Sequence, residues 1–216
     1  MAKSAQERIM EFKKILSEAE AMSETSGKDV LVLSLKKIIR AEELRLYSRF
    51  YFEQNCYFGL LLIQSQVFER QIKDLIELCE LYIKKSNNTY KIFPYKKPLY
   101  KMSLGALIDG PLSYYINYKR LLISISNFNL LRRGVVHHLT DSYDIELNSL
   151  EEGIASQYVI NDYAKIENMI LEATTRINIR VAEITAPNQQ AVEHIKKVMH
   201  DLLNLESENI KFKFDS

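Results

Sequence analysis

With 216 residues, 47% of them apolar and 26% charged, the chain has the composition of a globular protein with a real core and not that of a disordered polymer. Four prolines and six glycines are too few for a sheet-and-turn architecture, and they point to long helices. A formal net charge of +1 excludes a global field that would hold the protein on nucleic acid, so any such site must be a local patch.

The opening segment, "MAKSAQERIMEFKK", lacks the apolar core of a signal peptide. Residues 4–22 read as an amphipathic helix with Ile9, Phe12, Leu16 and Ala19 along one stripe. The polar run "SETSGKD" interrupts it, and Asp29 is placed to cap the following helix, which is expected to end or kink between Tyr47 and Tyr51. Over residues 52–85 the positions Cys56, Leu60, Ile63, Val67, Leu75, Cys79 and Ile83 form one apolar face at three-four spacing. The two cysteines lie too far apart along that helix to bridge each other and read as buried thiols of a cytoplasmic protein. The helix is predicted to stop at "KKSNNTY", where Ser and Asn favour a turn.

A loop with Pro94 and Pro98 follows, then "SLGALIDGP", a short helix or turn starting near Ser103 and stopped by Gly110 and Pro111. Pro111 suits the first turn of a new helix running through His138, with Tyr115, Leu122, Ile125 and Phe128 facing the core. After the turn "TDSYDIELNS", the longest regular stripe runs Val159, Tyr163, Ile166, Ile170, Ala173, Ile177, Val181, Ile184 and ends before Pro187. A last helix carries Val192, Ile195, Met199 and Leu202 and precedes a polar tail, "ESENIKFKFDS". No apolar run approaches a membrane span. The expected architecture is all-α, a single domain of residues 1–216. Its core is a helical bundle at 52–186, flanked by an N-terminal helical extension (1–50) and a C-terminal helix and tail (188–216).

One stretch, "NLLRRGVVHHLTD" (129–141), gathers two of the four histidines and two adjacent arginines. Positions five apart on a helix differ by about 140°, so Arg132 and His137 cannot point the same way, whereas Arg133 and His137 can. Gly134 costs roughly 1 kcal/mol against Ala in a helix, which implies a close backbone approach or a local irregularity. Arginine offers a permanently charged fork matched to phosphate. Histidine exchanges a proton near neutral pH. Together they are a minimal kit for cutting RNA: a base takes the 2′-hydroxyl proton and a cation stabilises the charge that develops, with no metal required. The same residues also read as a basic helix end that interacts with the dipole and has no further role.

The run resembles the signature of the HEPN superfamily: an arginine, often followed by a polar residue such as Asn, then a few residues to a histidine. Here it reads Arg132-Arg133-Gly134-Val135-Val136-His137, late in a long helix and before another. The upstream "SLGALI" (103–108) is similar to a leucine-glycine segment that precedes the motif in many such proteins, and the resemblance spans roughly residues 52–186. It implies a HEPN-like helical bundle and a metal-independent, cofactor-free ribonuclease, commonly a toxin of toxin–antitoxin or phage-defence systems. It also implies a homodimer with both motifs in one cleft, which removes the angular problem. Carried over, Arg132 would bind phosphate and His137 would handle the proton, both facing a wet cleft. Arg133 departs from the usual Asn; it and His138 are accessory candidates, and the pair Arg133 with His138 keeps the same spacing.

Between Glu80 and Asp109 there is no acidic residue. Lys91, Lys96, Lys97 and Lys101, with Tyr95, are the candidate RNA contacts there, lysines for phosphates and a ring for stacking. The alternative is a solvated loop whose aromatics pin it to the bundle. His194 and His200 are six apart, a poor spacing for joint metal binding, and no Walker loop or dinucleotide fingerprint is present. Two functions therefore stand: an endoribonuclease of HEPN type acting on RNA, or a catalytically inactive HEPN-like module that binds RNA or a protein partner. For either, an antitoxin or defence-system protein is the expected partner.

Overall fold

A computed structural model of the chain describes residues 5–21, 28–54, 56–141, 160–185, 193, 196 and 210–215. The long helices are α1 (Ala5–Ala21), α2 (Lys28–Glu53), α3 (Tyr57–Lys85), α6 (Lys119–Asp141) and α7 (Ile160–Thr185). Between α3 and α6 lie two short helices, α4 (Leu104–Leu107) and α5 (Ser113–Tyr115), joined by a wide turn at Ile108–Leu112. The described residues are therefore mostly helical, and none of their helices is long and apolar enough to cross a membrane.

Helices α1 and α2 form an antiparallel hairpin around their own cluster of Ile9, Phe12, Ala19, Leu35 and Ile39. Arg8 pairs with Glu42 at 2.9 Å and Lys36 with Glu20 at 2.8 Å, tying the hairpin at both ends. Asp29 lies inside α2 instead of capping it, and α2 runs on to Glu53, past the expected stop. The break falls where the Cys56 N–H reaches back to the Tyr51 carbonyl (3.0 Å). A Cβ on Gly59 would stand 2.9 Å from the Tyr51 ring, so the glycine lets the end of α2 fold back over the start of α3. The hairpin meets α3 through Lys37, 3.3 Å from Asp74.

Helix α3 is the central column. Leu61, Phe68, Ile72, Leu75, Ile76 and Cys79 are buried along it, against Ile166, Ile170, Ala173 and Ile177 of α7. Phe68 meets Phe128 of α6 edge-on at 4.8 Å and Tyr163 of α7 at 5.2 Å, so all three helices converge at one level. Cys79 is buried and Cys56 half-buried just before α3; both are free. The helix stops as its sequence implied: the Ser86 N–H bonds the Tyr82 carbonyl, and Asn87 takes a left-handed conformation (φ 53°) that asparagine tolerates.

Two expectations fail for one shared reason. The helix expected from Pro111 through His138 is interrupted, and the end of the polar tail is not polar in its packing. Pro111 is part of the wide turn Ile108–Leu112. After α5 the chain extends as β1 (Ile116–Asn117) and pairs antiparallel with β2 (Lys211–Phe212), Ile116 opposite Phe212. Ile210, Phe212 and Phe214 are buried in the main core while Lys211 and Lys213 face outward. A period of two in "IKFKF" is a strand pattern, and burying each phenylalanine contributes about 1.5–3 kcal/mol, enough to hold a short segment in place. Arg180 of α7 lies over the Phe212 ring at 4.9 Å and pairs with Asp215.

On α7, Tyr163, Ile166, Ile170, Ala173, Ile177 and Val181 are buried as the stripe predicted, while Ile184 is exposed. Thr140 and Asp141 belong to α6. The rest of the expected turn after them, Val159, and the last helix with Val192, Ile195, Met199 and Leu202 lie outside the described residues, as do His194 and His200.

Candidate functional site

The Arg132–His137 run lies within a regular helix that continues to Asp141. The helix is regular through Gly134, and among the described residues nothing comes within 4 Å of a Cβ placed there. Leu121, Ile125, Phe128 and Val135 define the buried face of α6. Arg132, one turn beyond Phe128, starts from that face. The outer face carries Ile123 (50% exposed), Leu130 (63% exposed), Arg133 and Gly134. His137 occupies the helix position seven residues after Leu130 and fourteen after Ile123, so its backbone position falls on the outer stripe. The side chains of His137 and His138 lie outside the described residues.

Arg132 is half-buried. Its Nη2 donates to Asn129 Oδ1 at 3.1 Å, and its Nε is buried without a hydrogen-bond partner among the described residues. No carboxylate among them pairs with it. Asn129 is itself only 7% exposed, and its Nδ2 sits 3.1 Å from where a Cβ of Gly105 would be. The "SLGALI" segment therefore lies against α6 one turn before Arg132, with Leu104, Leu107 and Ile108 buried and the glycine leaving room for Asn129. Gln64 of α3, 1% exposed, also has an unbonded Oε1, one turn from Phe68. Because α3 and α6 run antiparallel past the Phe68–Phe128 contact, Gln64 and Arg132 lie on the same side of it. Buried polar atoms are normally satisfied, and a water, which both donates and accepts, suits an unbonded oxygen and an unbonded N–H. Asn129 and Gln64 were missed from the sequence. The three-residue spacing of Asn129 and Arg132 was the available signal for the first; Gln64 had none.

The loop after α3 turns its rings inward. The Tyr95 hydroxyl donates to Glu80 Oε1, and its ring meets Phe93 at 5.1 Å. The Tyr115 hydroxyl donates to the same Glu80 oxygen (3.1 Å) and accepts the Phe93 N–H (2.7 Å). Burial, reinforced by Glu80, pushes the Tyr95 and Tyr115 phenols well above the usual tyrosine range. Tyr90 donates to the Tyr114 carbonyl (2.9 Å) and Tyr114 to the Lys91 carbonyl (3.0 Å). Lys91, Lys96, Lys97 and Lys101 are exposed. The ring that faces water is Tyr100, 71% exposed, with Lys101 Nζ 5.6 Å from its centroid. Tyr95 is thus a strut of the loop, and Lys96 and Lys97 stand on its outer rim.

Among the described residues no three of His, Cys, Asp and Glu gather as a metal-binding group. Compared with family models, curated proteins and solved structures, the chain matches none.

Proposed function

We propose that the chain is a metal-independent endoribonuclease of HEPN type, a cytoplasmic toxin or defence effector that cuts RNA at a two-fold dimer cleft. The observation that carries this reading is Arg132: a half-buried, permanently charged guanidinium held by Asn129, with no carboxylate partner among the described residues. A phosphate supplies the missing counter-charge.

In the reaction His137 takes the 2′-hydroxyl proton and the 2′-oxygen attacks the adjacent phosphorus. The bond to the 5′-oxygen breaks, and that oxygen leaves with a proton returned by a second acid, His137 of the partner subunit. Arg132 stabilises the charge on the phosphorus oxygens, with Arg133 as an added cation. The products are a 2′,3′-cyclic phosphate and a 5′-hydroxyl. Two copies are needed because Arg132 and His137 leave one helix about 140° apart. The exposed Ile123 and Leu130 support association of two copies along the outer face of α6, the face on which the backbone position of His137 falls.

A second reading, an inactive module that binds RNA or a protein partner such as an antitoxin, is favoured by the bond from Arg132 to its own helix. The test is cleavage of single-stranded RNA in excess chelator by wild type and by His137→Ala. Cyclic-phosphate ends made by wild type alone uphold the enzyme. No cleavage by either, with RNA or partner binding intact, makes the second reading correct.

A further inference from the structure

The tertiary contacts bring basic residues from four separate segments to one end of the bundle. Residues 81–140 hold ten lysines and arginines and a single acid, Asp109, in a chain whose net charge is +1, so the remainder is acidic and the positive charge is concentrated. Lys84 and Lys85 close α3 beside Ser86. Asn88 Nδ2 donates to the Phe214 carbonyl (3.1 Å), which draws the tail against that end. Lys91 is bonded through its carbonyl to Tyr114, two residues before β1. Lys211 pairs in register with Asn117, two residues before Lys119 at the start of α6. Lys84, Lys85, Lys91, Lys119 and Lys211 are all exposed around this two-stranded ribbon.

The orientation of these lysines is imposed. Phe212 and Phe214 are buried, so the alternation of the strand leaves Lys211 no inward position. Among the described residues, two carboxylates near this end are engaged elsewhere: Glu80 accepts from Tyr95 and Tyr115, and Asp215 pairs with Arg180. Among the described residues the surface is therefore a cationic patch whose exposed lysines pair with no carboxylate. We infer that the β1–β2 end of the bundle is a docking surface for the phosphate backbone of single-stranded RNA, separate from the arginines of α6. The inference rests on RNA as the ligand of the proposed site, but not on cleavage.

Two features favour a nucleic-acid strand over an anionic membrane. The aromatics of this end, Tyr90, Phe93, Tyr114, Phe212 and Phe214, pack on one another and on the core, leaving no apolar wedge for a bilayer among the described residues. The exposed ring of the neighbouring loop, Tyr100 beside Lys101, suits stacking on a base. Lys119 and His137 are 18 positions apart on α6, about 27 Å along the axis. A dinucleotide cannot touch both ends, whereas a strand of about 12 nucleotides, within known single-strand site sizes, can.

The experiment measures anisotropy of labelled, uncleavable 2′-O-methyl RNA, as a dinucleotide and as an oligonucleotide of about 12 nucleotides, on the full chain at several salt concentrations. The test variant is Lys84→Glu/Lys91→Glu/Lys211→Glu. The control is Lys13→Glu/Lys14→Glu/Arg40→Glu on the α1–α2 hairpin, which changes net charge equally, and circular dichroism verifies folding of both. The expected result is loss of oligonucleotide affinity by about ten-fold or more in the test variant only, with the salt slope falling by about 2 for three lost phosphate contacts. Dinucleotide binding stays unchanged. Equal losses in both variants, an unchanged salt slope, or binding to phosphatidylserine vesicles in place of RNA overturns the surface. Because binding is read without cleavage, failure of the ribonuclease reading alone leaves this result intact.

Discussion

Arg132 and Arg133 are neighbours in sequence, and truncating each to alanine should separate a residue built into the fold from one that faces water. Arg132→Ala removes the 3.1 Å bond to Asn129, whose side chain is then left with an unpaired oxygen at 7% exposure. A hydrogen bond to a charged group is worth about 1.5–3 kcal/mol, and an orphaned buried acceptor costs about 1–3 kcal/mol. Against that stands the relief of the buried, unbonded Nε, a group of similar cost. The net loss is about 1–2 kcal/mol, with part of it from the aliphatic stem packed on the buried face. Arg133 is exposed, and its truncation should stay within about 0.5 kcal/mol. Urea unfolding followed by far-ultraviolet circular dichroism reads both. With a slope of about 2 kcal/mol per molar, Arg132→Ala shifts the midpoint down by about 0.5–1 M and Arg133→Ala by about 0.25 M or less. Cleavage measured well below both midpoints should fall in each. An Arg132→Ala protein as stable as wild type would refute the placement of this side chain against Asn129.

Three further outcomes follow from the same structure. Phe214→Ala should cost about 3–5 kcal/mol in urea unfolding, because the ring is 4% exposed and packs on Phe212, Tyr82 and Tyr90; a cost under 1 kcal/mol would mean the tail is not part of the core. Tyr95 and Tyr115 are held protonated in the fold, so above about pH 10 the unfolded chain loses protons that the folded chain keeps. Stability is then full below that pH and falls as pH rises, and Tyr95→Phe/Tyr115→Phe should flatten the fall; an identical alkaline profile in wild type and variant would contradict it. Leu130→Glu, which places charge on the outer stripe of α6, should shift sedimentation from dimer to monomer and abolish cleavage while leaving the midpoint in urea of the monomer nearly unchanged. A wild type that sediments as a monomer at micromolar concentration would remove the two-copy site.

The parts of the fold whose cause is local were legible in the chain. Three-four spacing of apolar residues placed α1, α3 and α7, and the Ser-Asn run after Lys85 stopped α3 where Asn87 adopts a left-handed turn. Helical angles alone separated Arg132 from His137, and α6 is regular enough for that reasoning to hold. The rest was decided by contacts between distant segments. Ile116–Asn117 sits in a run that reads as helix, and it is extended because Lys211–Phe212, far along the chain, supplies its backbone partners. The same pairing turned a tail that reads as polar into core: the alternation in "IKFKF" is a strand pattern, but so short a strand buries its apolar face only when a partner strand holds it against the bundle. Arg132 reads as an exposed cation, but the burial of Phe128 one turn earlier set its face and the space beside Gly105 set its bond to Asn129. Local periodicity fixes which residues share a face; only packing decides which face meets water, because burial is a property of what lies opposite.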